Sequence, residues 1–173
     1  MARDTSRSST GRRSHSVRGT RRIRITDFYV GVKRNALQPD ELIRAIWIAP
    51  ATGPEQFSKI GTRNAMAIAV CSFGLALYPE RRAVGTGIGS AAPTPRIAAE
   101  AARFLADGLD EAGLWESRAE LPRSLAIEFG ERVKGAASPI DDVRGTAAYR
   151  LHSLAIMAAR TASWAWTDYR KAA

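Results

Sequence analysis

The sequence predicts an α+β fold: an antiparallel sheet of three to four strands packed against three C-terminal helices. Three observations carry this. Strand-like apolar runs are confined to residues 21–92, and helix-periodic ones begin at Pro95. Between two of the strand runs, Tyr78-Pro79-Glu80-Arg81-Arg82 is turn-like and folds the chain back as a hairpin. Strands first and helices after place the helices together on one face of the sheet.

The elements follow in order. Arg21 to Thr26 alternates, with Ile23 and Ile25 on one face, and reads as a short strand. Asp27-Phe28-Tyr29-Val30-Gly31 then turns. Leu42 to Ile48 is a second strand ended by Pro50, and Phe57 to Ile60 a third stopped by Gly61. Ala65 to Leu77 is apolar nearly throughout, so periodicity alone does not separate strand from helix; Ile68, Val70, Phe73, Leu75 and Leu77, with the turn after them, favour a strand. Ala83 to Ala92 is its return strand. There Gly85, Gly87, Gly89 and Ser90 let another backbone or a helix lie close. Pro95-Arg96 opens the first helix, with Ile97, Ala101, Phe104, Leu105 and Gly108 on one face. The second starts near Pro122, buries Leu125, Phe129 and Val133, and stops at Gly135. The third runs from Thr146, its N-cap, to about Arg170, with a stripe through Leu151, Leu154, Ala158, Ala162 and Trp166.

Charge is unevenly spread. Residues 1–24 hold eight arginines against one acid, Asp4, so they carry +7 of the net +9 of the 173-residue chain. So Arg-, Ser-, Thr- and Gly-rich a stretch cannot bury enough apolar surface to order itself. Residues 1–20 are therefore expected to be a disordered basic tail, and 21–173 the folded domain. The tail could bind phosphates without sequence preference, but it has no aromatic side chain to stack a base, which argues against nucleic acid. It lacks the apolar core of a secretory signal, and Gly11, Gly19 and five serines argue against an amphipathic transit helix. No apolar run is long enough for a membrane span. A single cysteine, Cys71, allows no disulfide or Cys-based cluster within the chain; it reads as a small buried hydrophobe in a reducing cytoplasm.

The candidate chemical motifs are mostly structural. In Gly85-Thr86-Gly87-Ile88-Gly89 the glycines alternate and prolines precede the next helix, so the spacing of a dinucleotide loop fails. Asp141 and Asp142 are neighbours on an extended segment and point apart; capping, or pairing with Arg144 or Arg150, suits them better than acid–base catalysis. His15 and His152 have no companion ligands, so no metal is expected. Lys59, Arg63 and Asn64 flank a glycine at a strand end, where a loop can face a ligand; a solvated turn is the alternative.

Five motifs occur in a fixed order: Val17–Arg22 with Asp27–Gly31; Leu37-Gln38-Pro39-Asp40-Glu41-Leu42-Ile43; Lys59–Val70; Val84–Arg96; and Ser138–Arg150. Together they resemble the C-terminal domain of the FAD-binding subunit of molybdenum hydroxylases, the family of xanthine dehydrogenase and carbon monoxide dehydrogenase. The resemblance implies the same α+β fold and a module that covers one side of the flavin. Its expected partners are a molybdopterin-binding large subunit and a 2Fe-2S small subunit, in electron transfer. It also implies that Lys59, Gly61, Thr62, Arg63 and Asn64 form the loop beside the FAD ring. Some relatives carry a second arginine and an acidic pair where this chain has Asn64-Ala65-Met66-Ala67. The glycine-rich loops that hold the FAD diphosphate in that family do not occur here. Tight FAD binding by this chain alone is therefore not expected, and an N-terminal FAD-binding half is an implied partner. Two rival readings are a non-catalytic interaction domain or truncated remnant without FAD, and an Arg-tailed nucleic-acid binder.

Overall fold

The computed structural model describes residues 11–16, 19–64 and 67–172. The chain divides into two compact units, one ending at Pro50 and one starting at Ala51, whereas the sequence offered a single boundary at residue 20.

In the first unit β1 (Gly11–Ser16), β2 (Gly19–Arg24) and β5 (Leu42–Trp47) form an antiparallel sheet in the order β2-β1-β5. A one-turn helix α1 (Ile25–Phe28) and a small pair, β3 (Tyr29–Gly31) with β4 (Arg34–Asn35), lie between. β1 falls in the stretch expected to be disordered. It is held by backbone pairing on both sides, Ser16 opposite Gly19 and Arg12 opposite Ile46, which is independent of side-chain hydrophobicity. The expected disorder of residues 1–10 lies outside the described residues. Ile25 leaves the strand for α1, while Ile23 and Phe28 are buried.

Glu41, the second acid of the Leu37–Ile43 motif, organises this unit. Its carboxylate accepts from Arg21 Nε at 2.6 Å and Nη2 at 2.7 Å, and from the Gln38 amide at 2.8 Å. Arg21 Nη2 also donates to the Ala36 carbonyl at 2.7 Å. The bidentate pair raises the Arg21 guanidinium above its ordinary value, chiefly through the hydrogen bond to Glu41.

The second unit holds the sheet β6 (Glu55–Gly61), β7 (Ala69–Tyr78) and β8 (Ala83–Gly89), antiparallel in that order. The β7–β8 hairpin turns through a 3-10 segment, Pro79–Arg81, and closes on Arg82 at φ 46°; Arg82 then pairs with Asp110 and Glu116. After the sheet come α2 (Ala99–Glu111), α3 (Leu114–Ser117), α4 (Arg123–Val133) and α5 (Ala147–Lys171). The three long helices are those expected; α3 is an additional single turn that carries Trp115 into the core.

The core forms where strand period meets helix period. Cys71, Phe73, Leu75 and Leu77 alternate along β7 and, with Ile88 of β8, face Leu105, Leu109, Phe129, Val133, Leu154, Ala158 and Trp166. Gly130 lets α4 approach α5 closely, because a Cβ there would collide with the Ala155 carbonyl. Thr146 caps α5 as expected, its Oγ1 accepting from the Tyr149 amide at 3.1 Å.

Candidate functional site

Lys59, Gly61, Thr62, Arg63 and Asn64 lie at the outgoing end of β6, an edge strand of the sheet. Lys59 opposes Ser72 of β7, and its Nζ donates to the Ala67 carbonyl at 3.3 Å, bracing the turn. Gly61 is needed at the crossing, since a Cβ there would sit 2.7 Å from Ala67 Cβ. Thr62, Arg63 and Asn64 follow as an exposed bend. The five residues are therefore one continuous polar corner; Ala65 and Met66 lie outside the described residues.

The corner ends one strand of a sheet whose two faces differ. The same alternation that sends Cys71, Phe73 and Ile88 toward the helices sends Ser72, Gly74, Ala76, Gly85, Gly87 and Gly89 the other way. This corrects the expected role of the glycines. The helices pack on the opposite face, where Thr86 Oγ1 accepts from the Ala98 amide at 2.9 Å. A Cβ on Gly85 would come within 2.9 Å of the Tyr78 ring, and one on Gly89 within 2.5 Å of Ser72 Oγ, both side chains of the neighbouring strand. A Cβ at Gly87 would meet nothing within 4 Å. Periodicity shows that the glycines share a face, but not which face the helices cover.

The fifth motif, Ser138–Arg150, is a structural clamp. Asp141 Oδ1 accepts from the Ala147 amide at 2.5 Å, at the first turn of α5. Asp142 Oδ1 accepts from the Arg144 amide at 2.8 Å and from Arg150 Nη2 at 2.5 Å. Arg150, buried to 4% exposure, also donates from Nη1 to the Ser90 carbonyl at 2.7 Å, tying the fifth motif to the fourth. Both aspartates therefore cap and pair, as their spacing suggested. The Arg144 amide bond, followed by Arg150, holds the Asp142 carboxyl below its ordinary value. A depressed folded value means stability that is present above the unfolded value of about 4 and is lost as pH falls through the folded one. Between about pH 5 and pH 2.5, the melting temperature of the native chain should therefore drop more steeply than that of Asp142→Asn. Parallel curves would show that the clamp contributes nothing. Burial pushes the Cys71 thiol up, with Arg150 opposing.

On this face Gly87 carries no side chain, Lys59 is exposed on β6, and the exposed Phe57 stands beside Gly74. The first-turn amides of α5 are already taken by Asp141 and Thr146, so that helix end offers no site for a phosphate. Among the described residues no three His, Cys, Asp or Glu side chains are grouped to hold a metal, and no helix is long and apolar enough to cross a membrane.

A second concavity was not foreseen. A groove of about 410 Å³ lies between the β6 edge, at Ser58–Ile60, and a side of α5 carrying Tyr149, His152, Ile156, Arg160 and Trp164. The signal was present as a second stripe at three- and four-residue spacing, beside the buried one.

The fold is that of the C-terminal part of the medium, FAD-binding subunits of molybdenum hydroxylases, as the five ordered motifs suggested. The chain is 37% identical over 76 residues to the nicotinate dehydrogenase FAD-subunit of Eubacterium barkeri, a match covering 41% of this chain and 26% of that protein. Its structure is similar to quinoline 2-oxidoreductase from Pseudomonas putida 86, with a TM-score of 0.79 at 19% identity, over 94% of this chain and 54% of that one. It is similar also to the Cu,Mo-CO dehydrogenase, with a TM-score of 0.76 at 22% identity, over 92% and 54%. The chain thus spans about half the length of these solved chains and a quarter of the curated relative. No family model matches it.

Proposed function

We propose that this chain is the C-terminal module of an FAD-binding oxidoreductase subunit of a molybdopterin-dependent hydroxylase. In this reading Lys59, Gly61, Thr62, Arg63 and Asn64 form one wall of the flavin site. The observation that carries it is the polar corner at the end of β6 beside an open sheet face, on a fold shared with such subunits. When bound, FAD supplies a two-electron carrier between iron–sulfur centres and a terminal acceptor. The residues of this chain hold and shield it: Lys59 presents a cation at the ring's rim, Gly61 keeps the corner tight, and Gly87 leaves the face flat. The diphosphate is held by another part of the subunit, since the glycine-rich loops that hold it in that family do not occur in this sequence. The remaining partners are a molybdopterin-binding large subunit and a 2Fe-2S small subunit, in the cytoplasm.

The test is purification of the chain alone, and together with the diphosphate-binding half and the partner subunits. Alone it should be colourless; in the assembly it should retain flavin that is reduced on adding substrate. Stoichiometric FAD on the chain alone would place the diphosphate here. Failure to join the assembly would leave a non-catalytic domain.

A further inference from the structure

We infer that the groove between the edge of β6 and α5 docks an acidic, apolar polypeptide segment of a partner protein in extended form. Three independent features define that occupant.

The first is the strand edge. Among the described residues β6 pairs only with β7, and three successive residues, Ser58, Lys59 and Ile60, line the groove. Consecutive strand residues point to opposite faces, so the three together present the backbone edge itself, whose N–H and C=O groups suit an added strand. The second is exposed apolar surface. Tyr149 is 47% exposed, Ile156 40% and Trp164 48%, spaced along one side of α5 over a floor of Ile60 and Met157. α5 is anchored rigidly there, Ser58 Oγ lying 2.6 Å from Thr161 Oγ1. A rigid wall with large aromatic anchors is what binding hot spots use.

The third is charge. The α5 wall of the groove carries His152 and Arg160, and no carboxylate lines the groove. The Arg160 and His152 side chains make no hydrogen bond or ion pair among the described residues. A nearby acid, Asp168, is engaged by Gln56 Nε2 at 2.5 Å. The missing complement is therefore anionic, and the apolar floor requires it to be amphipathic. A nucleic-acid strand would satisfy the cations and stack on Tyr149 and Trp164, but would leave Ile60, Ile156 and Met157 against phosphate and sugar. A peptide with alternating acidic and aliphatic side chains meets every feature, its backbone on the β6 edge and its alternate side chains in the groove.

The probe is a fluorescein-labelled peptide of alternating Glu and Leu, titrated by anisotropy against the full chain, with alternating Lys-Leu and Glu-Gly peptides and an oligo-dT strand beside it. Because the basic residues 1–24 attract any acid, the readout is the contrast between variants. Arg160→Glu should weaken the Glu-Leu peptide by about tenfold or more, and Trp164→Ala by about threefold or more, whereas Arg103→Glu, on exposed α2 surface, should change it by less than about twofold. Circular dichroism verifies that each variant is folded. The inference fails if the Glu-Leu peptide does not bind, if Lys-Leu binds as well, or if Arg103→Glu weakens it as much as Arg160→Glu. It fails also if oligo-dT binds more tightly and is the ligand lost with Arg160→Glu. Flavin plays no part in any of these outcomes.

Discussion

Trp166→Ala should destabilise the chain by about 3–5 kcal/mol, the largest loss expected of a single core truncation here. Trp166 is 2% exposed and joins α5 to α3 and to the segment after it. Its ring meets Trp115 of α3 edge-on at 5.4 Å and lies 5.1 Å from Tyr169 one turn further along α5. Its Nε1 donates to the Ala119 carbonyl at 2.8 Å, and the Tyr169 hydroxyl donates to the Trp115 carbonyl at 2.9 Å. Arg118 lies over the Tyr169 ring at 4.5 Å. Removing the indole therefore opens a cavity and also takes away one of the two aromatic anchors of the α3 turn, leaving Tyr169 as the other. Trp166→Phe keeps most of the volume and edge contact, and the Ala119 carbonyl is at an exposed residue where water can replace the lost donor. It should cost less than half as much. Urea unfolding followed by near-ultraviolet circular dichroism measures both. Equal losses would show that the hydrogen bond, not the packing, holds the cluster.

The legibility of this fold in its sequence follows what each signal physically encodes. The β7–β8 hairpin was readable because Pro79 and Arg82 interrupt two long apolar runs, and α5 because Thr146 precedes a long stripe of small and large apolar residues. The clamp was readable because adjacent aspartates cannot share a face on extended chain. β1 was missed because Gly11–Ser16 has no apolar alternation; its pairing is a property of the partner strands. α3 was missed because four residues are too few to show a period. The site was half legible. Lys59 to Asn64 was marked by polarity beside a glycine, but the face it borders depends on which side the helices choose, and that is settled by Phe73 and Leu105 far along the chain. The stripe from Tyr149 to Trp164 was hidden beside the longer buried stripe of the same helix.

In the assembled enzyme, Gly87→Val should abolish flavin retention, or slow flavin reduction by at least about a hundredfold, while leaving the fold intact. The two effects separate because of where Gly87 sits. It is exposed, in the middle of β8, opposite Gly74, and a Cβ there meets nothing within 4 Å. Its backbone does not need positive φ, since Gly19 and Gly113 are the described glycines with that conformation. A β-branched residue on an open strand position gains propensity, by up to about 1 kcal/mol relative to glycine, so the isolated chain should melt at the same temperature or slightly higher. A ring stacked on the face would instead meet two methyl groups, and a planar ligand cannot shift away from them without leaving the Lys59 rim. Lys59→Met removes the cation but keeps the stem; it should slow flavin reduction by about tenfold, the scale of one hydrogen bond to a charged group. Gly85→Val is the control for mere crowding, because a Cβ there strikes the Tyr78 ring at 2.9 Å and should lower the melting temperature as well. If Gly87→Val keeps full flavin content and turnover, the flavin does not lie on this face, and the corner at Lys59 to Asn64 is a solvated turn.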